Sequence, residues 1–291
     1  MAVTGRNGQI ARSLALGAAD AGFEIATLAR PRFDLAMPET IGPALAAIAP
    51  DIVVSAAAYT AVDRAETEAE LAMRVNRDGP AALARATARL GIPILHLSTD
   101  YVFDGEKGSP YLESDPVAPL GTYGRSKLAG EQAVAAETAD FAILRTSWVY
   151  SSFGANFVKT MLKLAATRER LTVVDDQFGR PSYAPAIATG VFAVARHLLA
   201  DRDERLRGVF HLAGGGEANW FEFAEAIMAA SAERGGRLVP VEAITTAQFP
   251  TLARRPRDSR LDCRRIAAVH GVELPDWRRS LVNCIDSLMA G

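Results

Sequence analysis

Strand-like apolar segments recur through the first half of the chain with helix-length stretches between them: Ala2–Thr4, Phe23–Leu28, Asp51–Ala58, Ile92–Leu97 and Phe141–Arg145. The longer ones are apolar almost throughout. A strand with one wet face alternates apolar and polar residues, whereas a continuously apolar one is covered on both faces. Helical patterns fill the gaps at Gln9–Gly22, Met37–Ile48, two helices within Glu66–Leu90 that meet near Gly79-Pro80, and Tyr123–Glu137. This alternation predicts an α/β chain: a doubly wound parallel sheet with helices on both faces and right-handed crossovers. The first strand is short, which is expected to weaken the edge of the sheet.

The second half is less regular. Asn156–Thr167, Ala184–Leu199 and Trp220–Glu233 read as helices, and Leu171–Val174 and Val209–Leu212 as strands. Residues 1–150 are expected to form one domain, with 184–213 packing back on it. Residues 151–291 would form mainly a smaller, mixed α/β domain. No flexible tract separates them, so the two are expected to pack together.

Composition narrows the partners. With 32 basic and 34 acidic residues the net charge is −2, and no basic block points to nucleic acid or an anionic membrane. No uncharged apolar stretch reaches the roughly 18 residues of a membrane span, and no leader pattern opens the chain. Cys263 and Cys284 lack metal-type spacing and read as free thiols of a reducing compartment, which places the protein in the cytoplasm. His96, His197, His211 and His270 are scattered, so no metal site is expected; His96 is expected to pack within its strand.

The turn after the first strand reads Thr4-Gly5-Arg-Asn-Gly8-Gln9-Ile10-Ala11. Gly5 permits a tight turn, Gly8 lets backbone approach a pyrophosphate, and Ala11 allows close packing of helix on strand. A pyrophosphate would sit at the positive end of the helix that begins there. The second strand ends at Arg30, where an acidic residue would select NAD through its ribose hydroxyl. Arg30 and Arg32 suit a 2′-phosphate instead, so NADPH is expected over NADH. Asp34 and Leu35 are candidates for the adenine pocket. The small residues closing the third strand, Ala56-Ala57-Ala58-Tyr59-Thr60, would leave room for the middle of the dinucleotide.

Two further segments carry chemistry. Ser98-Thr99-Asp100 delivers hydroxyls and a carboxylate to the carboxyl end of a central strand, where open α/β sheets bind ligands. Tyr123 and Lys127 stand at i and i+4 on one helix face. A neighbouring ammonium is expected to lower the phenol pKa from about 10. Such a tyrosine passes a proton to a carbonyl oxygen near neutral pH. Asp63, Glu66 and Glu68 are expected to cap the helix that follows their strand. Asp175-Asp176 reads as a turn before Gln177, and Trp220 as a packing residue at a helix start.

Taken in order, the segments VTGRNGQIA (3–11), AAAYTAVDRAE (56–66), STDYVFDG (98–105), YGRSKLAGE (123–131), RTSWVY (145–150), GANFVKTMLKLA (154–165), DDQFGRPS (175–182), Trp220–Ala224 and ARRPRDSRLD (253–262) carry a resemblance. The chain resembles the extended short-chain dehydrogenase/reductases and, within them, the dTDP-4-dehydrorhamnose reductase family. The resemblance implies a Rossmann-like sheet, a sugar-nucleotide-binding second domain, and reduction of a C4 keto group with NAD(P)H to give dTDP-L-rhamnose. It implies that Tyr123 protonates the C4 oxygen, that Thr99 hydrogen-bonds it, and that Lys127 bonds the nicotinamide ribose. Asp100 and Trp148 would contact the sugar-nucleotide, and Asn156, Gln177 and Arg255 its diphosphate and base. Gly8, Gln9, Ile10, Asp34, Leu35, Ala58, Tyr59 and Thr60 would line the cofactor. Ala11 and Ser182 depart from the family pattern. No carboxylates stand near Ser13 or after Pro181 to bridge two subunits through a metal, so any homodimer would not be metal-linked. Two other readings remain open: a reductase of a related 4-keto-6-deoxy sugar, and the family's non-catalytic, NADP-binding regulatory subunit of methionine adenosyltransferase.

Overall fold

The computed structural model describes residues 1–290. Its centre is a six-stranded sheet built from β1 (Ala2–Thr4), β2 (Ala26–Leu28), β3 (Val53–Ser55), β4 (Ile94–Thr99), β5 (Phe141–Thr146) and, from the second half of the chain, Gly208–His211. Every pairing is parallel. The first half also supplies a one-turn helix at Val62–Ala65 and five longer ones: α1 (Gln9–Gly17), α2 (Ile41–Ile48), α3 (Ala69–Met73), α4 (Gly79–Leu90) and α5 (Thr122–Glu137). The second half adds α6 (Phe157–Ala165), β6 (Leu171–Val174), α7 (Ala184–Ala200), β7 (the Gly208–His211 strand), α8 (Trp220–Ala232), β8 (Val241–Ile244) and α9 (Trp277–Met289). Strand order across the sheet is β7-β5-β4-β3-β1-β2. The order reverses between β1 and β3, the crevice that a doubly wound sheet offers a ligand.

The continuous apolar strands are explained by what covers them. On one face Leu14 of α1 and Ile187 and Val191 of α7 pack on Val54, Leu95, Leu97 and Leu144. On the other, Ile41 and Leu45 of α2, Leu83 of α4 and Val134 of α5 pack on Ala2, Val53 and Ile94. Each such side chain contributes about 1.5–3 kcal/mol when withdrawn from water. A second core joins α6, α8 and α9 over β6, through Val158, Met161, Phe223, Ile227, Leu281 and Ile285. α7 and β7 leave that half of the chain and complete the large sheet.

Several elements differ from their sequence expectation, each for a local reason. β1 is short, yet it lies inside the sheet between β2 and β3, and β2 forms the edge. β3 ends at Ser55 because the Thr4 hydroxyl oxygen accepts the Ala56 and Ala57 amides, at 3.0 and 2.9 Å, and bends the chain. α1 is regular only to Gly17, and turns lead on to Gly22. Met37–Ile48 begins with the 3₁₀ turn Pro38–Thr40 before α2. α3 and α4 do not break at Gly79-Pro80. They join through a π turn at Arg74–Asp78, and Pro80 occupies the first turn of α4, where its missing N–H is harmless. Among the described residues no helix is long and apolar enough to cross a membrane.

The π turn carries Asn76, which is 1% exposed and fully engaged. Its Oδ1 accepts the Tyr59 amide, and its Nδ2 donates to the Tyr59 carbonyl and the Ser126 hydroxyl. α5 crosses this turn at Gly130, where an added Cβ would overlap the Asn76 carbonyl oxygen. Gly130→Ala should therefore lower stability by about 1–3 kcal/mol, although alanine is normally the better helix former by roughly 1 kcal/mol. Urea unfolding checks this, and an unchanged or raised midpoint would contradict the close approach.

Candidate active site

The turn from β1 to α1 forms the cradle read from the sequence. Gly5 has a φ of +89° and donates its amide to the Leu28 carbonyl at 2.8 Å. An added Cβ there would press on the Ala57 Cβ at 3.2 Å. Gly8 precedes α1 in extended conformation, no side chain caps the helix, and a Cβ on Gly8 would meet nothing within 4 Å. The first amides of α1 thus open onto free space, an arrangement suited to an anion. Ile10 is half-buried, and Arg30 and Arg32 are exposed at the end of β2.

Some of the cradle residues have their side chains committed elsewhere. Gln9 donates to the Val149 carbonyl and accepts from Ser151 and from Asn156 Nδ2. Asn156 also caps α6 through the Lys159 amide, so its side chain is fully engaged. Asp34 Oδ1 accepts the Ala36 amide, and Leu35 is buried in the core. Ala58 is half-buried and Thr60 exposed. The Tyr59 hydroxyl donates to Glu68 at 2.7 Å, which raises its pKa.

Beside the cradle, Thr99 ends β4 and Tyr123 and Lys127 begin α5. The Thr99 hydroxyl donates to Asp100 Oδ1 at 3.0 Å. Asp100 is 2% exposed, and its Oδ2 makes no hydrogen bond, with Ser259 nearby. Burial pushes its pKa up to about 7. Tyr123 is half-buried and stands edge-on to Tyr101.

The expected tuning of Tyr123 by Lys127 is not what the geometry provides. Lys127 turns down to the sheet, where its Nζ donates to the Leu97 carbonyl at 2.6 Å and lies 3.4 Å from His96 Nε2. An ammonium taken from water seeks the strongest acceptor in reach, here a backbone oxygen. Burial pushes the Tyr123 pKa up to about 12, and the Thr99 hydroxyl beside it works in the opposite direction. Burial lowers Lys127 to about 8, with Glu131 opposing the fall. Desolvation therefore outweighs charge pairing for both groups.

Beneath them lies an ion pair that the sequence reading missed. Arg145 of β5 grips Glu131 of α5 at 2.9 and 2.6 Å, and each side chain is 5% exposed. Ser98 donates to the same carboxylate, and the Arg145 guanidinium lies over the Phe103 ring. His211 pairs with Arg145 across the β7–β5 ladder, and burial holds its pKa down at about 3. Two signals were available: an arginine closing an apolar strand, and a glutamate four residues after Lys127. Asn76 was missed too, and its signal was a polar residue within a helical apolar face.

The remaining candidates lie toward the second core. Trp148 has a φ of +45° and stacks on Trp220 with centroids 3.5 Å apart and planes 7° apart. Both rings are half-buried. Gln177 is buried and donates to the Thr246 hydroxyl at 2.9 Å. Asp176 accepts the Thr246 amide, consistent with a turn. Arg255 reaches Asp63 at 3.2 Å, and its Nε is buried without a partner. Asp63 also accepts the Ala253 amide. None of the acids caps its own helix: Asp63 and Glu66 hold other segments, Glu66 capping the start of α5 through the Thr122 amide and hydroxyl, while Glu68 makes a local pair with Arg64. Among the described residues no group of three His, Cys, Asp or Glu side chains could hold a metal ion.

A family model described as the RmlD substrate binding domain matches residues 1–290. The chain is 51% identical over 289 residues to a dTDP-4-dehydrorhamnose reductase of Sinorhizobium fredii, covering 99% of this chain and 97% of that one. Its fold is similar to the crystal structure of a dTDP-4-dehydrorhamnose reductase from Clostridium acetobutylicum, with a TM-score of 0.91, 35% identity and coverage of 99% and 98%. It is equally similar to the Bacillus anthracis reductase solved in complex with NADP, with a TM-score of 0.91, 32% identity and 98% of each chain covered.

The buried ion pair yields a test. Glu131→Gln leaves Arg145 uncompensated in the interior, and removing one partner of such a pair typically loses about 3–5 kcal/mol. Denaturant unfolding should show a loss of that order, and a loss under about 1 kcal/mol would mean that water reaches Arg145.

Proposed function

Because the chain belongs to the RmlD substrate binding domain family, we propose that it reduces the C4 keto group of dTDP-4-dehydro-L-rhamnose to dTDP-L-rhamnose with hydride from NADPH. The observation that carries this reading is the placing of Thr99, Tyr123 and Lys127 together at the carboxyl end of β4, beside the open amino end of α1. The likeness to named reductases of the same length supports the substrate.

The cradle suits the cofactor. The uncapped end of α1 and the free space outside Gly8 fit a pyrophosphate, and exposed Arg30 and Arg32 fit a 2′-phosphate. Bound NADPH supplies the hydride. The chain's own residues then deal with the charge that develops on the C4 oxygen. Tyr123, with its pKa near 12, keeps its proton throughout the neutral range and can give it to that oxygen. Thr99 can supply a second donor to the same atom once its single proton swings from Asp100 Oδ1 toward it. Lys127, bound from below by the Leu97 carbonyl, has an ammonium proton left for the nicotinamide ribose. Stacked Trp148 and Trp220 offer a flat apolar surface to the sugar-nucleotide, and Arg255 and Gln177 are the polar groups assigned to its diphosphate and base. Asp100 positions the Thr99 hydroxyl.

Near-ultraviolet absorbance of NADPH, followed with dTDP-4-dehydro-L-rhamnose made in situ, tests the reading. Tyr123→Phe should keep cofactor affinity and lose about 10²–10⁴-fold in turnover; turnover within threefold of wild type would sink the assignment. The pH profile gives a second check. Lys127 is cationic below about 8 and neutral above it, so turnover should fall as pH rises through that value. A rate flat to pH ~10, the ordinary lysine range, would remove Lys127 from the mechanism.

A further inference from the structure

β4 is apolar on the face that meets α1 and α7, but toward α5 it presents two polar side chains in succession, His96 and Ser98. α5 answers with two of its own, Lys127 and Glu131. Two residues of a strand rise about 6.6 Å and four of a helix about 6 Å, so the pairs can meet: His96 with Lys127 and Ser98 with Glu131. Ser98 is explained by the ion pair it completes. His96, fully buried in a strand and at first sight a packing residue, is not yet accounted for.

We propose that His96 is the positioning residue for Lys127: its unprotonated Nε2 and the Leu97 carbonyl form a two-acceptor seat on β4 that fixes the ammonium beneath Tyr123. This rests on the reductase reading above. Three observations carry it. Nε2 lies 3.4 Å from Nζ, whereas Nδ1 has no partner at all. α5 passes the ring at ordinary contact distance, a Cβ on Gly130 standing 3.6 Å from Nε2, and the ring is fully buried. An ammonium has three protons and no lone pair, so the nitrogen facing it must be the acceptor and the proton must reside on Nδ1. Burial and the adjacent Lys127 charge also hold the imidazole neutral, its pKa well below the usual histidine range.

The titratable and charged groups around Lys127 are few. Glu131 on its own helix favours the ammonium, and Arg145 of β5 balances Glu131. Tyr123 lies one turn earlier on the helix, and His96 comes from β4. Removing the His96 acceptor takes away one group that stabilises the cation, so Lys127 should shed its proton at lower pH.

The test uses the full-length protein with His96→Leu, which removes the acceptor, and His96→Gln, whose Oε1 can replace Nε2. In the ligand-free wild type, nitrogen-15 NMR should find His96 as the neutral Nδ1–H tautomer from pH 6 to 9 (roughly the neutral range). An Nε2–H tautomer would overturn the proposal. In turnover, His96→Leu should move the alkaline limb of kcat down by about half a pH unit or more, equivalent to about threefold in the lysine ionisation constant, while His96→Gln restores most of the shift. Limbs that coincide in wild type, Leu and Gln would make His96 a packing residue only. If His96→Leu does not fold, His96→Asn serves, because its shorter amide cannot span to Nζ and the same shift is expected. Should the wild type fail to reduce the sugar nucleotide, the reductase reading falls, while the tautomer measurement still judges the seat.

Discussion

Gly130 lets α5 pack closely on the Asn76 turn, while the sheet-facing side of α5 reaches groups on β4 and β5. Lys127 then meets a strand carbonyl, and Glu131 meets Ser98 and Arg145. The same approach seats Ser126 against Asn76, which in turn fixes both backbone groups of Tyr59 beside the β3 turn. A polar layer thus joins β3, β4, β5 and α5. A methyl group on Gly130 would push α5 off the π turn and strain the Ser126–Asn76 contact first.

Burial decides the protonation states at the site. In water a lysine four residues from a tyrosine would ease its ionisation. Here Lys127 is buried and Tyr123 half-buried, and each moves toward its neutral form: the phenol holds its proton more tightly and the ammonium less so. The outcome suits an acid better than a base. A phenol that keeps its proton is ready to give it to a developing alkoxide, and a lysine of reduced pKa can follow the charge as it moves.

How much of this could be read from the sequence depends on the range of the interaction. The parallel sheet was legible because unbroken apolar runs have few other uses. The Gly5–Gly8 turn was legible because strand, turn and helix are adjacent in the chain. Tyr123, Lys127 and Thr99 were legible as a group through motif and resemblance. What was not legible involved partners far apart in sequence. Lys127 was read against its helical neighbour, but its strongest acceptor is the Leu97 carbonyl, thirty residues away. Glu66 was read as a cap for its own helix and caps α5, 56 residues on. The short β1 is expected to weaken the sheet edge, whereas it lies between β2 and β3, because position in a sheet is set by the order of crossovers.

Gln9 stands at the first turn of α1, yet its amide grips the segment that leads into the second core, through Val149, Ser151 and Asn156. This single side chain acts as a rivet between the phosphate-facing turn and the lobe that presents Trp148. A rigid-body tilt of that lobe would pull on the turn directly, without passing through the sheet. The β1–α1 turn and the lobe's mounting therefore share one set of hydrogen bonds.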